Sequence, residues 1–153
     1  MPESGLEILV VEDNPKDLKL TMNALNRRNL ANRIEVARDG EEALDYLFCR
    51  GRFASRSQNA PPRLVLLDLK LPKVDGIEVL KTIKGDPRTK PIPVVILTGS
   101  KEERDLVEGY RLGVNAYIQK PVDFDQFRNI VEQLGLFWLV INQPPPSSAF
   151  ERD

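Results

Sequence analysis

The chain has 153 residues, enough for one domain of ordinary size, and 41% of them are hydrophobic, enough to fill a single core. Its 22 basic and 23 acidic residues leave a net charge of -1, and no apolar run approaches the length of a membrane span. We therefore expect a cytoplasmic protein that binds neither nucleic acid nor a membrane. The absence of histidine and the single cysteine exclude imidazole chemistry, an internal disulfide and a cysteine-rich zinc site.

Five short apolar runs predict β-strands, and amphipathic stretches of helical length separate them. The runs cover residues 8–11, 34–37, 64–67, 94–97 and 116–118. Most of them are apolar without alternation, as in strands that are buried on both faces of a parallel sheet. The expected fold is a three-layer α/β structure in which five helices cover both faces of five parallel strands.

The helices can be located by their starts and their apolar faces. Asn14 and Pro15 are a capping residue and a first-turn proline, so a helix should begin there. The next three helices are predicted over residues 41–48, 76–84 and 102–112. In the last of these, Leu106, Val107 and Tyr110 have helical spacing and are expected to face the sheet.

A final helix is predicted from Phe124 to about Ile141, with an apolar stripe directed inward that includes Ile141. Four further apolar residues fall on its other faces: Leu136, Phe137, Leu139 and Val140. Because monomers seldom expose so much apolar area, we expect a homodimer or a docking patch there. The alternative is that these residues cap the core beneath the tail. The polar, proline-rich residues 143–153 predict a disordered tail after a folded domain of residues 1–142.

Polar residues follow four of the predicted strands at the point where each apolar run stops. They are Glu12 and Asp13, Asp68, Thr98, and Lys120. Because parallel strands end at the same edge of a sheet, these side chains should meet in one crevice. Clustered carboxylates raise one another's pKa unless a cation lies among them. Ligation by oxygen alone favours a hard ion, and a shallow crevice with room for waters suits Mg²⁺ better than Ca²⁺.

Opposite these carboxylates, Lys120 supplies a charge and Thr98 a hydroxyl donor, which together can hold a tetrahedral anion beside Asp68. Taken singly, a charge-balancing Lys120 and a structural Thr98 explain the pattern equally well. Their occurrence together, at four strand ends, favours a phosphoryl site.

This set of residues resembles the receiver domains of bacterial response regulators over residues 6–139. The motif positions are Glu12 and Asp13, Asp68 with Leu71, Pro72, Asp75 and Gly76, Thr98, and Lys120 with Pro121. The resemblance implies a flavodoxin-like sheet of order 2-1-3-4-5. It also implies a stand-alone response regulator of a two-component system, which accepts a phosphoryl group from a histidine kinase and signals through its surface. Such a protein is not an enzyme that acts on external substrates.

A closer likeness is to single-domain regulators paired with phytochrome-type histidine kinases. It lies in residues 50–62, 61–86, 113–124 and 134–142. The family also implies that the kinase is recognised on the face of the first helix, around residues 17–22.

The resemblance further implies which residues hold the metal and the phosphoryl group. Asp68 is expected to be the phosphoacceptor, and Asp13 and Asp68 are expected to bind Mg²⁺ directly. Glu12 would bind the metal through water, and Lys70 would contribute its main-chain carbonyl.

Three expectations for the fourth and fifth strands also come from the family. Lys120 is expected to hold a phosphoryl oxygen and to precede Pro121 through a cis peptide bond, which the small trans preference before proline permits. Thr98 and Tyr117 are expected to form a switch. The hydroxyl of Thr98 turns toward the phosphoryl group, and Tyr117 enters the space that it leaves.

Two other functions would use some of the same residues. A phosphatase of the haloacid dehalogenase type also uses an aspartate nucleophile and Mg²⁺, but it needs a second aspartate where this chain has Lys70, and its nucleophile follows the first strand. A receiver-like interaction module that works without phosphorylation would not need the complete acidic set.

Overall fold

The computed structural model of the protein describes residues 8–27, 33–56, 61–121 and 123–150. Within these ranges, five parallel strands form one sheet of order β2-β1-β3-β4-β5. The strands are β1 (Ile8–Val11), β2 (Ile34–Ala37), β3 (Leu64–Leu67), β4 (Val94–Thr98) and β5 (Ala116–Gln119). The predicted fold class and strand order are confirmed, and the last two strands each extend one residue beyond the prediction.

Five α-helices connect these strands. They are α1 (Pro15–Arg27), α2 (Gly40–Leu47), α3 (Gly76–Gly85), α4 (Glu103–Leu112) and α5 (Phe124–Gly135). Side-chain oxygens of Asn14, Asp39, Asp75 and Asp123 accept hydrogen bonds from first-turn amides, which is why four of the helices start where they do. None of the helices in the described ranges has the length and hydrophobicity that crossing a membrane requires.

The core consists of two clusters, one on each face of the sheet. Along β1, Ile8 and Val10 belong to the cluster that α1 and α5 cover, whereas Leu9 and Val11 belong to the cluster that α2 and α3 cover. This alternation follows from the two-residue period of a strand. All four residues of β1 are buried, which explains why the strand reads as a continuous apolar run.

The side of helix α4 that packs against the sheet is not the apolar side that the sequence predicts. Leu106, Val107 and Tyr110 are between 40% and 54% exposed, while Gly109 is buried. A Cβ atom at Gly109 would lie 3.3 Å from Cδ1 of Ile96, so the missing side chain allows α4 to approach the sheet closely at this point. That approach turns the apolar face outward, and the predicted inner face of α4 is wrong.

The chain after α5 changes its helical geometry, and this alters which residues are buried. Leu136–Ile141 is π-helical, and the amide of Asn142 donates to the carbonyl oxygen of Phe137, five residues earlier. The wider turn rotates the following side chains relative to an α-helix. Leu139 is therefore in the core at 3% exposure and Ile141 is 59% exposed, so the sequence assigned both to the wrong face.

The remaining members of the predicted patch are exposed. Leu136 is 40%, Phe137 47% and Val140 60% exposed.

The segment after the π-helical turn was predicted to be disordered from residue 143 onward. As far as residue 150, the structure shows a 3-10 turn at Ser147–Ala149 and packs Phe150 against the core cluster beneath α2 and α3. Residues 143–150 are mostly proline and polar residues, but Phe150 has apolar surface that is stabilised by burial against the core. Residues 151–153 lie outside the described ranges.

Candidate functional site

The register of the sheet aligns the strand ends that precede the polar residues. Val11 pairs with Leu67, and Leu67 pairs with Ile96, so β1, β3 and β4 end side by side. Beyond these ends lies an open cleft of about 490 Å³. Its lining residues are Asp13, Asn14, Pro15, Asp17, Asp68, Lys70, Thr98, Gly99 and Lys120.

Three carboxylates in this region are spaced for one metal ion. One oxygen each from Glu12, Asp13 and Asp68 lies within 4.8 Å of the other two, and Glu12 and Asp68 are buried while Asp13 is exposed. Because all three donors are hard oxygens, the group suits a divalent cation such as Mg²⁺. Lys70 lies at the rim of the same cleft.

The ammonium group of Lys120 joins three carboxylates. Its Nζ donates to Oε1 of Glu12 at 2.7 Å, to Oδ2 of Asp17 at 2.8 Å and to Oδ2 of Asp68 at 2.8 Å. The side chain of Lys120 is only 10% exposed. All three of its N–H donors therefore have an acidic partner inside the protein.

Sequence reasoning missed Asp17 as a site residue, because the family resemblance places it only on the kinase-facing surface of the first helix. It lies in the first turn of α1, where Oδ1 of Asn14 accepts a hydrogen bond from its amide at 3.0 Å. The sequence does contain a signal for Asp17. Asn14, which caps α1, directly follows Glu12 and Asp13, so the first turn of α1 must begin beside these two carboxylates.

Burial and charge act differently on the two buried carboxyl groups. For Glu12, burial is the main cause that raises the pKa to about 7, although Lys120 opposes it. For Asp68, burial alone would raise the pKa, but the hydrogen bond and charge of Lys120, helped by Thr98, hold it below its ordinary value. The pKa of Lys120 is raised, because its three carboxylates outweigh its burial. Asp68 is thus an ionised carboxylate paired with an ammonium group.

Thr98 and Tyr117 lie on neighbouring strands, with Tyr117 opposite Ile96 in the register. Thr98 is fully buried, and its hydroxyl oxygen accepts a hydrogen bond from the amide of Ser100 at 3.3 Å. The buried hydroxyl of Tyr117 lies near Ser100 but has no hydrogen-bond partner of good geometry in the described part of the chain. Among the described residues, the side chain of Tyr117 is therefore held by packing against the core and not by a well-aligned hydrogen bond.

The peptide bond between Lys120 and Pro121 is trans, since no bond between described residues is cis. The expected cis bond is therefore wrong. The trans form is favoured before proline by about 0.5–1 kcal/mol. In this form Lys120 already reaches all three carboxylates, so the geometry of the site does not require the other isomer.

The family model of the response regulator receiver domain matches residues 8–132. The chain belongs to this family. The match spans all five strands and ends within α5, so it includes every strand end that contributes to the cleft. The receiver domain accordingly works in a two-component system, with a histidine kinase as its partner.

Curated relatives of similar length support the same assignment. The chain is 46% identical to the probable methanogenesis regulatory protein FilR2 of Methanothrix harundinacea, over 94% of this chain and 90% of that protein. It is 40% identical to the response regulator Rcp1 of Synechocystis, over 86% of this chain and 88% of that protein.

Solved receiver structures have the same fold. The phosphorylated cyanobacterial phytochrome response regulator RcpA gives a TM-score of 0.86 at 42% identity and covers 93% of this chain and 99% of its own. The Mn²⁺-bound form of response regulator Rcp1 gives a TM-score of 0.85 at 37% identity, and the match covers 92% of this chain and 99% of that chain. The chain is therefore a receiver domain that signals by phosphorylation, and receiver domains of this kind bind a divalent metal ion.

The raised pKa of Glu12 leads to a prediction about stability. In the folded protein Glu12 binds its proton more tightly than the ordinary value of 4.5 allows, so stability without divalent ions should fall as the pH rises from about 4.5 to about 7. The loss is roughly 1–3 kcal/mol. Glu12→Gln has no proton to lose and should not show this decline. Urea unfolding in a chelator at pH 5 and pH 8 measures the difference.

The matched control is Glu78→Gln, which changes an exposed glutamate in the first turn of α3 and should keep the wild-type decline. Equal declines in the wild type and in Glu12→Gln would show that Glu12 does not carry a raised pKa.

Proposed function

We propose that Asp68 is the phosphoacceptor of this receiver domain and that Lys120 is its charge partner in the transfer. The observation that carries the proposal is the 2.8 Å contact between Nζ of Lys120 and Oδ2 of Asp68, next to the Glu12 and Asp13 carboxylates. A buried but ionised carboxylate is a nucleophile, and the adjacent ammonium group can neutralise charge on the incoming phosphoryl oxygens.

The metal in this proposal is Mg²⁺, held directly by Asp13 and Asp68 and through water by Glu12, with the main-chain carbonyl of Lys70 as a further ligand. The three carboxylates and their spacing support a hard cation, and the Mn²⁺ bound in Rcp1 supports a divalent one. When bound, the ion would neutralise charge on the transferring phosphoryl group.

The reaction is a transfer from a phosphohistidine of the kinase. An oxygen of Asp68 forms a bond to phosphorus as the phosphorus–nitrogen bond breaks, and the imidazole of the kinase leaves with the electron pair. Lys120 then exchanges its contact with Asp68 for a phosphoryl oxygen. Hydrolysis of the resulting acyl phosphate by water restores the Asp68 carboxylate. The protein is therefore phosphorylated and dephosphorylated on its own side chain and is not an enzyme that acts on external substrates.

A phytochrome-type histidine kinase is the proposed partner. The support is the 42% identity to RcpA, which is described as a phytochrome response regulator, across 93% of this chain. A cytoplasmic location belongs to the same proposal and is compatible with a single cysteine and no disulfide.

Thr98 and Tyr117 are the proposed switch between phosphorylation and the outer surface. Thr98 already contributes to the low pKa of Asp68, so a phosphoryl group on Asp68 would draw its hydroxyl closer. No described residue gives the hydroxyl of Tyr117 a hydrogen bond of good geometry, and Tyr117 lines a cleft with Leu106 of α4. Movement of Tyr117 would therefore change the exposed apolar face of α4.

The π-helical turn after α5, Leu136–Ile141, is the proposed surface for a homodimer. Leu136, Phe137, Val140 and Ile141 are exposed there. Phe137 also borders an apolar cleft of about 350 Å³ whose other lining residues are Ile118, Ile130, Gln133, Leu134 and Trp138. Leu139 belongs to the core and takes no part in this surface.

Phosphorylation of Asp68 is tested directly with a small-molecule phosphodonor and Mg²⁺. Asp68→Asn should incorporate no label, because the amide is not a nucleophile for phosphorus, whereas Asp125→Asn, an exposed carboxylate on α5, should be labelled like the wild type. Mass spectrometry of the intact protein measures the added group. A wild-type protein that stays unlabelled would favour an interaction module that works without phosphorylation.

The switch is tested by Thr98→Ala. This variant should bind beryllofluoride with Mg²⁺ but lose the accompanying change in the NMR signals of Tyr117 and α4, because the hydroxyl that couples the two is missing. Thr98→Ser retains the hydroxyl and should behave like the wild type. If Thr98→Ala shows the same changes in the NMR signals of Tyr117 and α4 as the wild type, Thr98 is not part of the switch.

The dimer is tested by sedimentation with and without beryllofluoride. Phe137→Glu should weaken self-association by about tenfold or more, because it places a charge in the apolar contact. Val107→Glu changes an equally exposed apolar residue on α4 and should leave association unchanged. A wild-type protein that is monomeric under both conditions would contradict the homodimer.

A further inference from the structure

One of the three carboxylates bound to Lys120 has no part in the proposed metal site. Oδ2 of Asp17 accepts from Nζ of Lys120 at 2.8 Å, the same distance as Asp68. Asp17 does not belong to the three-carboxylate group of Glu12, Asp13 and Asp68. Its charge is therefore available to Lys120 whether or not a metal ion is bound.

Asp17 is held in this position from the helix side. Its amide donates to the capping oxygen of Asn14, and its main-chain oxygen accepts from the hydroxyl of Thr21 at 2.8 Å. The backbone of the first turn of α1 is thus fixed beside the cleft. This keeps the carboxylate of Asp17 within hydrogen-bonding reach of the Lys120 ammonium group.

Phosphorylation changes the balance among the three partners of Lys120. A bound cation would draw on Glu12 and Asp68, and the acyl phosphate removes the charge of the Asp68 carboxylate. Asp17 keeps its charge and its contact, so it becomes the rival of the phosphoryl oxygens for the N–H donors of Lys120. Because Asp17 and Asp68 bind the same nitrogen atom, Asp17 also lies close enough to repel a phosphoryl dianion on Asp68.

We propose that Asp17 competes with the phosphoryl group for the ammonium of Lys120 and so weakens the binding of that group at the site. The inference rests on the proposed role of Asp68 as the acceptor. It assigns to the first turn of α1 a part in setting the balance between the phosphorylated and unphosphorylated states.

The opposite effect would require Asp17 to strengthen phosphoryl binding by keeping Lys120 in place. The burial of Lys120 argues against it, because a side chain that is 10% exposed is already confined by its surroundings. Once the position of the ammonium is fixed by packing, the main consequence of removing Asp17 is the loss of one negative charge beside the phosphoryl group. Loss of that charge should favour the bound anion.

The test is the affinity for beryllofluoride in the presence of Mg²⁺, followed by ¹⁹F NMR on the full chain. Asp17→Asn keeps the shape of the side chain and removes its charge, and it should bind beryllofluoride about three- to tenfold more tightly than the wild type. Asp17→Ser also removes the charge and should tighten binding in the same direction. Local damage to α1 would weaken beryllofluoride binding and not tighten it. Urea unfolding of both variants measures any such damage separately.

The matched control is Glu41→Gln. Glu41 is an acidic residue in the first turn of α2 with a 61% exposed side chain, so its loss changes the net charge and the helix terminus in the same way. It should leave the beryllofluoride affinity unchanged. Unchanged or weaker binding in both Asp17 variants overturns the inference while the role of Asp68 stands. Failure of the wild-type protein to bind beryllofluoride at all overturns the proposed acceptor, and this inference with it.

Discussion

The ammonium of Lys120 is the interaction on which the rest of the site depends. Glu12, Asp17 and Asp68 come from the end of β1, the first turn of α1 and the end of β3, and all three converge on one nitrogen atom. Carboxylates at this distance repel one another unless a positive charge lies between them. Lys120 supplies that charge from β5 and keeps Asp68 ionised in a place where burial alone would favour its neutral form.

This arrangement connects parts of the fold that the sheet by itself does not join. Among the described strands, β5 lies at the edge of the sheet beside β4, yet Lys120, which follows β5, is hydrogen-bonded to Asp17 of α1. α1 and α5 also pack together over one face of the sheet. Lys120 thus links the start of α1, the end of β3 and the chain that leads into α5 in one set of contacts.

The outer surface depends on two local departures from regular packing. Gly109 lets α4 approach the sheet, and this turns Leu106, Val107 and Tyr110 toward solvent. The π-helical turn after α5 places Leu139 in the core and leaves other apolar residues exposed. Both apolar surfaces lie next to β5, which also carries Tyr117 and leads to Lys120. The strand that leads to Lys120 therefore borders both exposed apolar surfaces.

The sequence by itself determined the strands, the helix starts and most of the polar residues that meet at the cleft, because each of these is a local pattern. A buried strand reads as an apolar run, a cap is a single side chain beside a helix, and parallel strands end at one edge. It did not determine the rotation of α4, the exchange of Leu139 and Ile141, or the isomer before Pro121. The tertiary structure alone decided these features, and it alone revealed Asp17 at the site. Asp17 and Lys120 are 103 residues apart, so only the packing of α1 against the sheet edge brings their charges into contact.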